Sequence, residues 1–144
     1  MNDVAIRELE TQFEWADAFF LIEQLRPELN AEEYFEYVEQ MTANGYRLFG
    51  AFVDDDLAAV AGVNIGVNMY YGRHLWIDEL VTDSQHRSEG YGTQLMEYLE
   101  EWAAEHGCDT VALSSGVQRD DAHRFYDEKA DMEKASYVFT KELD

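Results

Sequence analysis

Proline and cysteine each occur once, at Pro27 and Cys108. A single cysteine excludes an internal disulfide, and Cys108 reads as a small packing residue between a helix and a strand. His74, His86, His106 and His123 are too scattered to supply a metal-ligand spacing, so no metal is expected. Basic residues are also scarce. Lysine stands only at 129, 134 and 141, and 31 acidic residues face 10 basic ones, for a net charge of −21. Nucleic acid is a poor partner for such a chain, because phosphate binding draws on Lys and Arg. No apolar run approaches the roughly 20 residues of a membrane-crossing helix, and the N-terminus lacks the basic-then-apolar pattern of a signal peptide. These absences together imply a cytoplasmic protein that does not engage a membrane.

What is present is a core. The 144 residues are 47% hydrophobic and 14% aromatic, enough for one domain over 1–144 that folds without a metal or disulfide staple. The acids are spread over nearly every expected element instead of forming one block. That distribution favours a solvated acidic coat suited to a salty cytoplasm, where at roughly 1 M salt charges are screened beyond about 3 Å. The competing reading is an acidic surface that attracts a cationic substrate.

Periodicity orders the elements. Val4 to Leu9 alternates as a first strand, and Glu14 to Leu25 is helical with Trp15, Phe19, Ile22 and Leu25 on one stripe. Pro27 ends that helix. Asn30, with Glu33 three residues on, starts a second helix that stops at Asn44-Gly45. Tyr46–Val53, Leu57–Met69 and His74–Thr82 form an antiparallel meander, joined through Asp54-Asp55-Asp56 and Tyr71-Gly72-Arg73. A main helix follows, with Leu95, Leu99 and Trp102 on its apolar face and Gly107 at its end. Thr110–Ser115 is a strand, a short helix runs from Asp120 or Asp121 to about Lys129, and Ala135–Leu143 closes the chain as a strand. The order β α α β β β α β α β predicts an α/β fold, a mixed and mostly antiparallel central sheet with helices on both faces.

Between the third meander strand and the main helix lies Arg87-Ser88-Glu89-Gly90-Tyr91-Gly92. The first N–H groups of a helix lack internal partners and carry partial positive charge. Gly90 and Gly92 let an anion approach that backbone, and Arg87 adds a forked cationic donor. The pattern lacks the third glycine of a dinucleotide fingerprint and the Gly-Lys-Ser/Thr of a P-loop. It reads as an anion site.

With Asp-Glu-Leu-Val-Thr-Asp at 78–83 and Asp-Ala-His-Arg-Phe-Tyr at 121–126, this turn resembles the GNAT superfamily of acyl-CoA-dependent N-acyltransferases. The resemblance covers essentially the whole chain and is strongest from Trp76 to Tyr126. It implies an N-acetyltransferase that moves an acetyl group from acetyl-CoA to a primary amine in a ternary complex. The coenzyme pyrophosphate would lie on Arg87, Ser88, Glu89, Gly90, Tyr91, Gly92 and Thr93. The pantetheine arm would pair with the backbone of Leu80, Val81 and Thr82, and His123 would touch the coenzyme. Asp78 is the first choice for the base that deprotonates the amine, with Glu79 second, because alternation lets only one of them face the acceptor cleft. Tyr126 would protonate the departing thiolate. The helical pair would lie over the acceptor cleft, offering Glu32, Glu33, Glu36 and Tyr34 to a cationic small molecule such as a polyamine or a basic amino-acid derivative.

The chain departs from the family pattern at Ser84, where proline is common, and at Ser88 and Glu89. It departs again after Tyr126, where Asp131 must serve in place of a glycine. Two rival functions stay open: a non-catalytic acyl-CoA sensor, and acetylation of a peptide or protein amine. The final strand and the Tyr70-Tyr71 turn offer surfaces on which a homodimer could form.

Overall fold

The computed structural model describes residues 4–87, 89–116 and 119–143. Two compact units divide the chain, Met1–Leu113 and Ser114–Asp144.

In the first unit five strands lie side by side in sequence order: β1 (Val4–Leu9), β2 (Arg47–Val53), β3 (Asp56–Asn68), β4 (Gly72–Thr82) and β5 (Thr110–Leu113). The first four run antiparallel and β5 joins β4 in parallel, which is the mixed sheet expected. The β2–β3 hairpin turns on Asp54 and Asp55, with φ of 50° and 71°. Left-handed conformation at both positions matches the right-handed twist of the flanking strands, and aspartate tolerates it better than most residues.

Strand alternation sends side chains to two faces. Leu48, Val60 and Val81 join Ala18, Leu21 and Ile22 of α1 (Gln12–Leu25) and Tyr34 and Val38 of α2 (Ala31–Ala43) in one buried cluster. Phe49, next to Leu48, points the other way and packs against Tyr98 and Trp102 of α3 (Tyr91–Glu105). Each fully buried aliphatic side chain contributes about 1.5–3 kcal/mol, so the two faces together hold the sheet between its helices.

The helix starts are capped by their own sequence. Asn30 and Glu33 form the expected reciprocal capping box on α2, and Thr11 with Glu14 forms a second one on α1. Two partly buried hydrogen bonds then fix the helices to the sheet and to each other. The Trp15 indole donates to the Leu9 carbonyl at 2.8 Å, and the Tyr34 hydroxyl donates to the Trp15 carbonyl at 2.6 Å. No helix among the described residues is long and apolar enough to cross a membrane.

The second unit begins with α4 (Asp120–Arg124), which widens into a π-type turn over Phe125–Lys129. It closes with the Ala130 N–H on the Phe125 carbonyl at 3.0 Å, and Asp131 then takes a φ of 53°, the left-handed conformation its position demands. The expected strand over Ala135–Leu143 does not form. Tyr137, Val138 and Phe139 are strongly β-prone but exposed, and no ladder pairs them among the described residues. Strand preference is largely a preference for packed cross-strand neighbours, and among the described residues this unit contains no other strand to supply them.

Candidate active site

A single extra residue shapes the centre of the sheet. Gly62 pairs with Glu79 and Val63 pairs with Ile77, so Asp78 is a bulge with no partner opposite it. The bulge shifts the phase of β4. Before it, Trp76 lies opposite Asn64; after it, Val81 faces the α1–α2 cluster. Asp78 and Glu79 therefore both turn toward the α1–α2 side. Strict alternation would have sent them to opposite sides, but of the two only Glu79 lines the cavity on that side.

The two carboxylates are held differently. Asp78 accepts from the Asn64 amide at 3.2 Å, and its backbone carbonyl accepts from the Arg26 guanidinium at 3.4 Å. Burial raises the Asp78 pKa, opposed by hydrogen bonds from Asn64 and Trp76 and by the charge of Arg26. Glu79 accepts from the Tyr46 hydroxyl at 3.0 Å. Burial, and then the neighbouring charge of Asp78, push Glu79 up to about 7, against the Tyr46 hydrogen bond and Arg26. A carboxylate poised near neutrality is matched to proton transfer at physiological pH.

Glu79 lines a cavity of about 380 Å³ beneath the helical pair. Its wall is apolar at Ile22, Val38 and Met41 and aromatic at Tyr34 and Tyr46, while Arg26, Glu28 and Glu33 stand at exposed positions of its lining. Of the four α2 residues expected to meet an acceptor, Glu33 and Tyr34 line this cavity. Glu32 and Glu36 are exposed on α2 and are not among the residues that line the cavity.

Past the bulge, β4 has a vacant edge. Its pairing with β5 runs from His74–Thr110 to Ile77–Leu113 and goes no further among the described residues. Leu80, Val81 and Thr82 remain paired on the other side, with Ala61, Val60 and Ala59. An extended ligand could hydrogen-bond to that open edge as an added strand. Val81 is also a core side chain.

The turn after β4 is tied to α1. Asp83 accepts from the Gln24 side chain at 3.1 Å, and the Ser84 N–H donates to the Gln24 amide oxygen at 3.0 Å. Residues Ser84–His86 make one 3₁₀ turn, so serine at 84 does not prevent an ordered turn. Gly90 then caps α3 with a φ of 85°, and among the described residues no side-chain cap hydrogen bond is made there. A Cβ at Gly90 would meet nothing within 4 Å. The open helix terminus fits a phosphate-bearing ligand, with Gly92 and Thr93 in the first turn of α3 and Arg87 and Glu89 exposed beside it. The Tyr91 side chain is buried and meets His86 edge-on, so its backbone is what could serve a ligand. Ser88 lies outside the described residues.

Tyr126 and His123 belong to the second unit. Tyr126 lies in the π-type turn, its phenol pKa raised by burial and lowered in part by the charge and hydrogen bond of Arg119. A nitrogen of the His123 ring contacts the Gly116 carbonyl at 2.9 Å, closing the loop ahead of α4. Among the described residues no group of three His, Cys, Asp or Glu is arranged to hold a metal ion.

Sequence reasoning missed Tyr46, which it read as the first residue of a strand, and it missed the partnership of Arg26 and Asn64 with the acidic pair. One signal was available: Gly62, inside the apolar run 57–63, marks a close approach of another group.

Comparison with known proteins agrees with this architecture. The model of the acetyltransferase (GNAT) family matches residues 9–132. An uncharacterized N-acetyltransferase of Bacillus subtilis (strain 168), YhdJ, is 38% identical over 139 residues, covering 96% of this chain and 98% of its own. An aminoalkylphosphonate N-acetyltransferase of Salmonella typhimurium is 37% identical over 67 residues, 46% of this chain and 43% of its own. Among solved structures, the aminoglycoside N-acetyltransferase AAC(6')-Iy in complex with CoA superposes with a TM-score of 0.85 at 16% identity, covering 99% of this chain and 96% of that one.

Proposed function

The chain belongs to the GNAT acetyltransferase family, and from that premise we propose that it transfers an acetyl group from acetyl-CoA to the primary amine of a small cationic molecule, with Glu79 as the general base. The observation that carries this reading is the position of Glu79, half-buried at the cavity wall and raised to about 7. Asp78, the first choice from sequence, becomes the neighbour whose charge helps to keep the Glu79 pKa high.

An alkylamine with a pKa near 10.4 arrives mostly protonated. Glu28, Glu33 and Glu79 favour that cation in the cavity, and the apolar wall accepts its carbon chain. Glu79 takes one proton from the ammonium, freeing the nitrogen lone pair. The nitrogen bonds to the acetyl carbonyl carbon as the carbon–sulfur bond breaks. Backbone N–H groups at the open edge of Leu80–Thr82 stabilise the charge that develops on the carbonyl oxygen. Tyr126, protonated at neutral pH, supplies a proton to the departing thiolate, and the second proton that the nitrogen sheds as the amide forms restores the phenol. Arg87 and the α3 terminus at Gly90, Gly92 and Thr93 hold the coenzyme phosphates, and His123 is a further coenzyme contact.

The two relatives named for small amine substrates, an aminoalkylphosphonate and an aminoglycoside enzyme, support a small-molecule acceptor. The test is thiol release from acetyl-CoA over a panel of polyamines, amino acids and peptides, in low and molar KCl, beside Tyr126→Phe. Release that depends on a cationic small amine and falls in the variant supports the reading. Release only with peptides would replace the acceptor class. Stabilisation by acetyl-CoA without turnover would replace catalysis with sensing.

A further inference from the structure

Tyr46 sits at the head of β2, 33 residues before the carboxylate it binds, and β3 makes room for it. A Cβ built on Gly62 would lie 1.7 Å from the Tyr46 hydroxyl oxygen and 2.4 Å from Cζ. No side chain other than hydrogen fits there with the phenol in place. Gly62 is also the residue opposite Glu79, at the edge of the bulge that turns both acids to one side. Three features thus meet at one point: a gap in β3, a buried phenol filling it, and the carboxylate that this phenol contacts.

We propose that Tyr46, seated in the gap left by Gly62, is a positioning residue that fixes the Glu79 carboxylate for proton transfer. The Tyr46 hydroxyl occupies Oε2, while Oε1 makes no hydrogen bond among the described residues and is left for the ammonium. The inference rests on the reading of Glu79 as the base.

A hydroxyl that donates to a carboxylate favours its charged form. The Tyr46 phenol is itself held well above its ordinary value by burial and by the Glu79 charge, so it stays a donor throughout the range in which Glu79 titrates. The other groups lining the cavity with Glu79 or acting on it are Arg26 at the end of α1, Glu28 beyond it, Glu33, Tyr34 and Tyr37 on α2, and Asp78 beside it on β4; the uncharged Asn64 of β3 donates to Asp78. Of these, Asp78 opposes the ionised form of Glu79 and Arg26 favours it. Tyr46 favours the ionised form too, and does it by a direct hydrogen bond.

The experiment follows the side-chain carboxyl carbons of the ¹³C-glutamate-labelled protein by NMR as pH is varied, without any substrate. Glu79→Gln assigns the Glu79 resonance by its disappearance. In Tyr46→Phe, which keeps the ring and removes the donor, the Glu79 midpoint should move up by about one pH unit, the scale of one charge-assisted hydrogen bond. Gly62→Ala, which evicts the phenol by adding a methyl group, should move it in the same direction. An unmoved midpoint in a folded variant of either kind overturns the inference and leaves Tyr46 as core packing. The premise fails separately: it falls if Glu79→Gln retains full acetyl transfer while the Tyr46→Phe shift is present.

Discussion

Replacing Glu79 with glutamine should stabilise the protein at alkaline pH and do little at acid pH. The Glu79 pKa is 4.5 as an ordinary glutamate and about 7 when folded. Below 4.5 both states hold the proton and the residue is neutral in its effect. Between 4.5 and 7 the unfolded chain releases the proton while the folded chain keeps it, so folding becomes progressively less favourable as pH rises. Above 7 the destabilisation is complete. The gap of about 2.5 pH units corresponds to about 3 kcal/mol at most, and roughly 2 kcal/mol of it should develop between pH 5 and pH 8.5. Glutamine keeps an oxygen that can accept from Tyr46 and carries no charge, so the variant lacks this term. Urea unfolding of both proteins at several pH values in constant salt measures the difference. The reasoning is refuted if the two stability curves run parallel from pH 5 to 8.5, since Glu79 would then titrate as it does in the unfolded chain.

Three other outcomes follow from the structure. Gly90→Ala places a Cβ on a residue with φ of 85° and should cost about 1–2 kcal/mol in urea unfolding through backbone strain alone, because nothing lies within 4 Å to clash. Thr11→Ala removes the side chain that accepts from the Glu14 N–H and should cost about 1 kcal/mol in the same assay, with no effect on coenzyme binding measured by calorimetry. With a net charge of −21, the melting temperature should rise between 0.1 and 1 M KCl as the screening length contracts from about 10 to about 3 Å. A flat or falling melting temperature would mean that self-repulsion is not what limits stability at low salt.

The parts of this architecture that depend on neighbours in sequence could be read from sequence. The Asn30–Glu33 box, the Asp54-Asp55 turn and the glycine at the α3 terminus each use a few adjacent residues, and their signals are local. The acidic pair was legible as chemistry but not as geometry. Whether Asp78 and Glu79 share a face depends on the register of β3 against β4, and one unpaired residue in that register reverses the answer. The Tyr46–Glu79 contact joins residues of non-adjacent strands across a gap made by a third strand, so no local pattern announces it. The closing segment fails for the opposite reason. Tyr137-Val138-Phe139 has the composition of a strand, yet pairing is a property of a partner, and composition does not supply one.

Acetyl transfer to the best amine of the panel, measured across pH 5.5 to 9 for the unaltered protein, Glu79→Gln and Asp78→Asn, tests the central claim most directly. Glu79 as the proton acceptor predicts a rate that rises through pH 7 in the unaltered protein. It predicts a loss of 10²- to 10⁴-fold with disappearance of that limb in Glu79→Gln, and a limb displaced to lower pH in Asp78→Asn, where a repelling charge has been removed. Near-normal rates with an intact limb in Glu79→Gln, beside a collapse in Asp78→Asn, would contradict it and return the base to Asp78.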